Sequence, residues 1–105
     1  MENWNGEKGN DPIIEMIKHL NIYVYGRVQG VFYRASAMEA ADKLGIKGFA
    51  RNEKDGTVYI EAEGEEDDLR EFISWCYKGP ARASVERVAT EETPMKNYTK
   101  FTIDR

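Results

Sequence analysis

The stretch from Val24 to Arg34, V-Y-G-R-V-Q-G-V-F-Y-R, constrains the fold most because it marks a junction between a strand and a helix. Alternating apolar residues stop at Gly26, a second glycine follows at Gly30, and a helical pattern begins at Tyr33. Glycines let successive backbone N–H groups turn toward one point, and the first turn of a helix adds unpaired N–H groups. Arg34, in that turn, offers a planar set of donors. The stretch therefore predicts an anion site.

The rest of the chain alternates between strand and helix patterns. The predicted order is strand 19–26, helix 33–44, strand 46–52, strand 57–63, a helix that carries Leu69, Phe72, Ile73 and Cys76, and strands 83–89 and 98–103. Gly45 and Gly79 are expected to end the helices, and Gly64 to end the strand before the second helix. Two helices, each following a strand, must cover the same sheet.

This order predicts an α+β fold, a ferredoxin-like βαββαβ sandwich with an antiparallel sheet. Right-handed crossovers place both helices on one face of that sheet. We expect the strand that carries Asn52 to lie beside the first strand, so that its end points toward the anion site. The open face is expected to carry aromatic residues, namely Tyr23, Tyr25, Phe49 and Tyr59.

The N-terminal segment differs in composition from the rest. Residues 1–10 are polar and predict a mobile tail, and Asp11 with Pro12 resembles the start of a helix. Apolar residues at helical spacing follow, namely Ile13, Met16, Ile17 and Leu20. We expect a short extra helix that docks on the core or mediates self-association. The predicted organisation is an extension over 1–18 and a domain over 19–105.

Composition excludes several classes of function. The formal net charge of -4 argues against a surface built for nucleic-acid phosphates, in spite of the aromatic face. Cys76 is the single cysteine, so no intramolecular disulfide forms, and its position on an apolar helix face predicts a core residue. No apolar run suggests a signal peptide or membrane span, which favours the cytoplasm. His19, the single histidine, is expected at a strand edge, and no metal site is expected.

A second stretch, Gly48-Phe49-Ala50-Arg51-Asn52, is followed by glycines at positions 56 and 64. Asn52 is either a turn residue at the end of a strand or an amide that holds a water molecule near the anion site. Gly56 fits the turn of a hairpin. Either glycine-containing stretch by itself also fits simple strand ends and turns.

Together the two stretches resemble the two signatures of the acylphosphatase family. The first, G-x-V-Q-G-V-x-F-R, is matched by Gly26, Val28, Gln29, Gly30, Val31 and Arg34. Tyr33 stands where that signature usually has phenylalanine. The second is matched by Gly48, Asn52, Gly56, Val58 and Gly64. The resemblance runs from about His19 to Arg105.

The resemblance implies metal-independent hydrolysis of acyl phosphates to a carboxylate and inorganic phosphate. We expect the chain to act as a monomer without a cofactor. The resemblance assigns catalytic roles to Arg34, which binds the phosphate with the backbone amides of residues 27–33, and to Asn52, which orients the attacking water. The implied phosphate-binding set is Val28, Gln29, Gly30, Val31, Phe32, Tyr33 and Arg34.

The residues themselves are compatible with this chemistry. A cysteine phosphatase of the C-x5-R type needs cysteine where Val28 stands, and the G-x-x-x-x-G-K-[ST] loop is missing. The groups that remain do not exchange protons near neutral pH, which suits a carboxylate leaving group whose conjugate acid has a pKa of about 4. Two alternatives stay open: a non-catalytic acyl-phosphate or anion-binding module, and a carbamoyl-phosphate-processing domain like the one in hydrogenase maturation proteins.

Overall fold

The structure, a computed structural model, describes residues 16–104. Its elements in chain order are β1 (Ile17–Arg27), α1 (Tyr33–Leu44), β2 (Lys47–Asn52), β3 (Val58–Glu65), α2 (Glu66–Lys78), β4 (Ser84–Thr93) and β5 (Phe101–Asp104). The strands form one sheet in the order β4-β1-β3-β2-β5. The predicted ferredoxin-like βαββαβ order is confirmed, with β5 added at one edge.

The sheet is mixed, whereas an antiparallel sheet was predicted. β1, β2, β3 and β4 form antiparallel pairs, but β5 pairs with β2 in parallel. The reason is that the chain leaves β4 at one edge and crosses the open face to the other edge, where it runs in the direction of β2.

The expectation that the strand carrying Asn52 lies beside β1 is wrong, because β3 lies between β1 and β2. Val58 of β3 pairs with Val24 on one side and with Asn52 on the other. Both outer strands are antiparallel to β3, so β1 and β2 run in the same direction. The carboxyl ends of β1 and β2 therefore lie at the same end of the sheet. Asn52 thus lies near the loop that follows β1.

The core lies between one face of the sheet and the two helices. Its fully buried strand residues include Ile22, Val24, Ala50, Ile60 and Ala62, and its buried helix residues are Tyr33, Ala37, Ala41, Leu69, Phe72 and Cys76. The apolar face of the strands and the apolar faces of α1 and α2 thus pack together in one core layer. Cys76 is a core residue as predicted, and burial raises the pKa of its thiol to about 12.

Three strands, β1, β3 and β4, are longer than their sequence patterns suggested. β3 continues through Gly64, which pairs with Lys18 and was predicted to end the strand. A side chain at Gly64 would come within 3.2 Å of the Ile46 side chain, so the glycine serves close packing. β4 extends to Thr93, whose partner on β1 is His19.

The predicted N-terminal helix is partly contradicted. Ile17 and Leu20 belong to β1, where they pair with Glu65 and Ala62 of β3. The remainder of that helix and the predicted tail lie outside the described residues, and the division at residue 18 stays a prediction. Within residues 16–104, neither helix is long and apolar enough to cross a bilayer.

His19 is not a strand-edge residue, since β1 lies inside the sheet and only 1% of His19 is exposed. Its Nδ1 lies 2.6 Å from Oε2 of Glu63, and its Nε2 lies 3.1 Å from Oε1 of Glu61. Both carboxylates are buried on the open face of the sheet. We call His19, Glu61 and Glu63 the His19 cluster.

The connection between β4 and β5 covers the His19 cluster. Glu63 accepts hydrogen bonds from the backbone N–H groups of Lys96, Asn97 and Tyr98. Glu61 accepts a hydrogen bond of 2.8 Å from the hydroxyl of Tyr98. The cluster thus fixes the segment that carries the chain from one edge of the sheet to the other.

The predicted aromatic residues lie on the open face, where three of the four pack against one another. The ring centroids of Tyr23 and Tyr59 are 5.1 Å apart, and those of Phe49 and Tyr59 are 5.9 Å apart. The fourth, Tyr25, lies 4.0 Å from the guanidinium carbon of Arg87. The alternation therefore identified the open face correctly.

Candidate functional site

A cavity of about 370 Å³ lies where the loop after β1 meets the end of β2. Its lining residues are Val28, Gly30, Phe32, Tyr33, Arg34, Ala35, Asn52 and Ile103. The structure thus brings together the two residues that the sequence singled out, Arg34 from α1 and Asn52 from β2. Among the described lining residues, Arg34 alone carries a formal charge, so the cavity favours an anion.

The loop between β1 and α1 has the backbone conformation of an anion-binding turn. Gly30 and Phe32 have positive φ angles of 74° and 63°, and the carbonyl of Phe32 accepts the hydrogen bond from Ser36 that starts α1. Within residues 16–104, the N–H groups of residues 28–32 donate to no backbone or side-chain acceptor. These donors remain available to a ligand, as do the N–H groups at helix N-termini that bind anions.

Two members of the predicted phosphate-binding set have side chains that do not line this cavity. The Gln29 carboxamide donates hydrogen bonds of 2.8 Å to the backbone oxygens of Glu53 and Thr57. Val31 is buried in the core. Gln29 therefore connects the loop to the hairpin that follows Asn52. This role was not predicted from the sequence, although a long polar side chain between two buried valines could have indicated it.

Tyr33, the departure from the family signature, points into the core. Its ring lies 5.2 Å from that of Trp75, and its hydroxyl donates a hydrogen bond of 2.7 Å to the backbone oxygen of Cys76. Burial raises the pKa of the phenol well above its ordinary value. Tyr33 therefore does not act as a base, and its extra oxygen strengthens packing between α1 and α2.

Arg34 is oriented by the last strand of the sheet. Its Nη1 donates a hydrogen bond of 3.0 Å to the backbone oxygen of Asp104, and Ile103 of the same strand lines the cavity. Neither contact was predicted. A backbone acceptor leaves no mark on the sequence, and the position of β5 beside β2 was unknown.

Asn52 and its neighbour Arg51 lie on opposite faces of the sheet, as expected for adjacent residues of a strand. The Arg51 guanidinium lies 5.1 Å from the ring of Tyr59 and donates a hydrogen bond to Glu53. The Glu53 carboxylate raises the pKa of Arg51. Arg51 is thus held on the open face, which leaves Arg34 as the cation of the cavity in the part of the chain that is described.

Among residues 16–104, no group of three or more histidine, cysteine, aspartate or glutamate side chains is arranged to hold a metal ion. The donors that converge on the cavity are N–H groups, a guanidinium and a carboxamide, which suit an oxyanion rather than a cation.

Comparisons with known proteins agree with the geometry. The acylphosphatase family matches residues 20–103 of this chain. An acylphosphatase of Legionella pneumophila (strain Paris) is 46% identical over 84 residues, which are 80% of this chain and 92% of the relative. The crystal structure of acylphosphatase from Bacillus subtilis, 33% identical, superposes with a TM-score of 0.82 over 86% of this chain and 100% of that chain.

The same fold also forms part of a longer protein. Full-length HypF, solved in a phosphate- and nucleotide-bound form, is 29% identical, with a TM-score of 0.79 over 88% of this chain but only 12% of its own. The family match over residues 20–103, together with a 46% identical relative that is covered almost completely, shows that this chain belongs to the acylphosphatase family.

Proposed function

We propose that this chain hydrolyses acyl phosphates to a carboxylate and inorganic phosphate without a metal ion, by in-line attack of water. Family membership gives the reaction, and the cavity supports the division of roles. Arg34 and the N–H groups of residues 28–33 hold the phosphoryl group, and Asn52 orients the water through its carboxamide. The observation that supports these roles is the shared cavity, which Arg34 and Asn52 line together with loop residues whose N–H groups have no backbone acceptor within residues 16–104.

The substrate's leaving group explains why so few groups suffice. A carboxylate departs without protonation because its conjugate acid has a pKa of about 4. Charge that develops on the phosphoryl oxygens of a loose transition state is met by donors that the fold has already oriented. The substrate's own phosphate is then left to accept the proton of the attacking water.

The setting that fits this proposal is a monomer in the cytoplasm that acts on a small-molecule acyl phosphate. The supporting observations are the small cavity and the buried thiol of Cys76, which fits a reducing compartment. A phosphorylated carboxyl group on a protein presents the same bond, and we assign the small molecule because the cavity is only about 370 Å³.

The central experiment is the release of phosphate from benzoyl phosphate and from acetyl phosphate in the presence of EDTA. We expect turnover that EDTA does not change. Loss of turnover on chelation would contradict the metal-independent mechanism. Binding of inorganic phosphate without any turnover would instead favour the non-catalytic anion-binding module.

Substitution of Arg34 tests the phosphate role. Arg34→Ala should weaken the binding of inorganic phosphate by about 10- to 100-fold, because it removes charge-assisted hydrogen bonds. It should lower kcat/KM by about 10³-fold. The matched control is Arg70→Ala, which removes an exposed arginine from α2. Strong phosphate binding by Arg34→Ala would assign the phosphate to another cation.

Substitution of Asn52 tests the water role. Asn52→Ala should lower kcat by about 10²- to 10³-fold while phosphate binding is kept, since the carboxamide positions the nucleophile only. Arg51→Ala is the control, because it alters the adjacent residue on the other face of β2. Equal kinetic losses in the two variants would mean that damage to the strand, and not loss of the carboxamide, lowers the rate.

The second candidate, the processing of carbamoyl phosphate, is the alternative that the sequence leaves open. Carbamoyl phosphate is itself an acyl phosphate, so the same cavity chemistry applies to it. The likeness covers only 12% of HypF. Use of carbamoyl phosphate as a third substrate in the same assay tests this alternative directly.

A further inference from the structure

A second recess, of about 460 Å³, adjoins the cavity on the other side of the loop. It is lined by Arg27, Gly30, Val31 and Arg82. Gly30 lines both spaces, so the loop backbone at this residue forms the ridge between them. No heavy atom lies within 4 Å of the position that a Cβ of Gly30 would take, which leaves this ridge open. A ligand bound in the cavity can therefore extend over Gly30 into the recess.

The register of the sheet brings the two arginines together. Arg27 is the last residue of β1 and pairs with Ser84, the first residue of β4. Arg82 lies just before Ser84, in the connection from α2. A bulge at Gly26 lets β4 approach closely, since a Cβ there would lie 2.2 Å from the backbone oxygen of Ser84. The pairing thus holds residues that are distant in sequence at one end of the sheet.

The charges of the recess are not neutralised by the described part of the chain. Arg27 and Arg82 are exposed, and within residues 16–104 neither forms an ion pair or a side-chain hydrogen bond. Arg51 and Arg70, in contrast, each pair with a carboxylate. The described lining of the recess includes no carboxylate. In a protein with a net charge of -4, this is a local site for a second anion.

We propose that Arg27 and Arg82 form a specificity subsite for acyl phosphates whose acyl part carries a second negative charge. The proposal rests on the proposed function, because it takes the phosphoryl group to occupy the cavity beside Arg34. The acyl part then crosses the Gly30 ridge, and a carboxylate or phosphate at its far end meets the two guanidinium groups. Small bifunctional acyl phosphates fit, since the two spaces share a single residue.

The test compares two matched pairs of substrates that cannot cyclise. 3-Carboxybenzoyl phosphate is compared with 3-methylbenzoyl phosphate, and the 4-substituted isomers are compared in the same way. The readout is the ratio of kcat/KM for the charged substrate to that for the uncharged one. Intrinsic reactivity cancels when the ratio of a variant is divided by that of the wild-type chain.

We expect Arg82→Ala to lower this ratio roughly three- to tenfold for at least one isomer. This loss lies between the loss expected for an exposed ion pair and the loss expected for a charge-assisted hydrogen bond. Arg27→Ala should act in the same direction, and Arg82→Lys should restore part of the ratio. Arg70→Ala, which changes the net charge equally, should leave it within about twofold.

Ratios that stay within about twofold in both Arg82→Ala and Arg27→Ala, for both isomers, would overturn the subsite. An equal fall in Arg70→Ala would also overturn it, because net charge would then explain the effect. These results differ from a failure of the proposed function, in which the wild-type chain would release phosphate from none of the four substrates. Thermal denaturation of each variant verifies that it is folded before its ratio is used.

Discussion

Glu63→Ala is predicted to cause a large loss of stability, because the Glu63 carboxylate is a buried acceptor for four donors. It accepts from Nδ1 of His19 at 2.6 Å and from the N–H groups of Lys96, Asn97 and Tyr98 at 2.5, 3.2 and 2.9 Å. Only 3% of Glu63 is exposed. Truncation to alanine leaves these donors without their partner.

The magnitude follows from the kind of contact. A hydrogen bond to a charged group contributes about 1.5–3 kcal/mol, and removal of one partner from a buried pair costs about 3–5 kcal/mol. Water can reach the exposed connection and replace part of the loss, so the four contacts do not add. We expect the free energy of unfolding to fall by about 3–5 kcal/mol, and Tm by on the order of 15–30 °C.

Urea denaturation at pH 7, followed by tryptophan fluorescence, measures this change. Glu91→Ala, an exposed glutamate of β4, is the control and should change stability by less than about 0.5 kcal/mol. A loss below about 1 kcal/mol in Glu63→Ala would refute the reasoning, because it would show that the connection does not depend on the carboxylate.

The same residue predicts a dependence on pH. Burial acts to raise the pKa of Glu63, but hydrogen bonds from His19 and from the N–H groups of Lys96 and Tyr98 outweigh it, and the pKa is lowered. A lowered folded-state pKa contributes stability above the unfolded-state value of about 4.3, and that stability is lost as pH falls through the folded-state value. The stability difference between the wild-type chain and Glu63→Gln should therefore shrink below about pH 4. A difference that is constant between pH 7 and pH 3 would contradict this.

Three further predictions concern the site and the core. Tyr33→Phe should lower the free energy of unfolding by about 0.5–1.5 kcal/mol in urea denaturation and leave kcat/KM within about twofold, because the hydroxyl bonds to Cys76 and not to the cavity; a large kinetic loss would contradict this. Gln29→Met should lower kcat/KM by roughly tenfold and stability by about 1–2 kcal/mol, since two hydrogen bonds to the hairpin are lost; unchanged kinetics would show that the loop needs no such tie. The Cys76 thiol, with a pKa near 12, should not react with a thiol reagent at pH 8 until the protein is unfolded by urea, and rapid labelling of the native state would contradict its burial.

Much of the fold was readable from the sequence because alternation and helical spacing report which side of each element is buried. The order of the strands in the sheet is not readable in this way. The alternation around Val58 is the same whether Val58 pairs with Val24, with Asn52 or with both. The strand patterns therefore predicted the strands but not their order, and the predicted place of Asn52 beside β1 was wrong. The parallel pairing of β5 was missed for the same reason.

The residues missed by the sequence analysis depend on contacts between distant segments. His19 reads as an ordinary polar residue, and only the pairing of β1 with β3 brings it to Glu61 and Glu63. Arg34 was identified from a local motif, but its backbone acceptor at Asp104 required knowledge of the sheet order. The motif residues that line the cavity were thus predictable from the sequence, whereas the contacts that hold them in place were not.

The hydrogen bond from Arg34 to the backbone of Asp104 links the proposed phosphate site to an edge strand of the sheet. β5 is a four-residue strand at an edge, and such strands open more readily than the whole domain unfolds. Turnover should then decline at a lower urea concentration than fluorescence does. Since the acceptor is a backbone carbonyl, the side chain at position 104 can vary in evolution without loss of the hydrogen bond to Arg34.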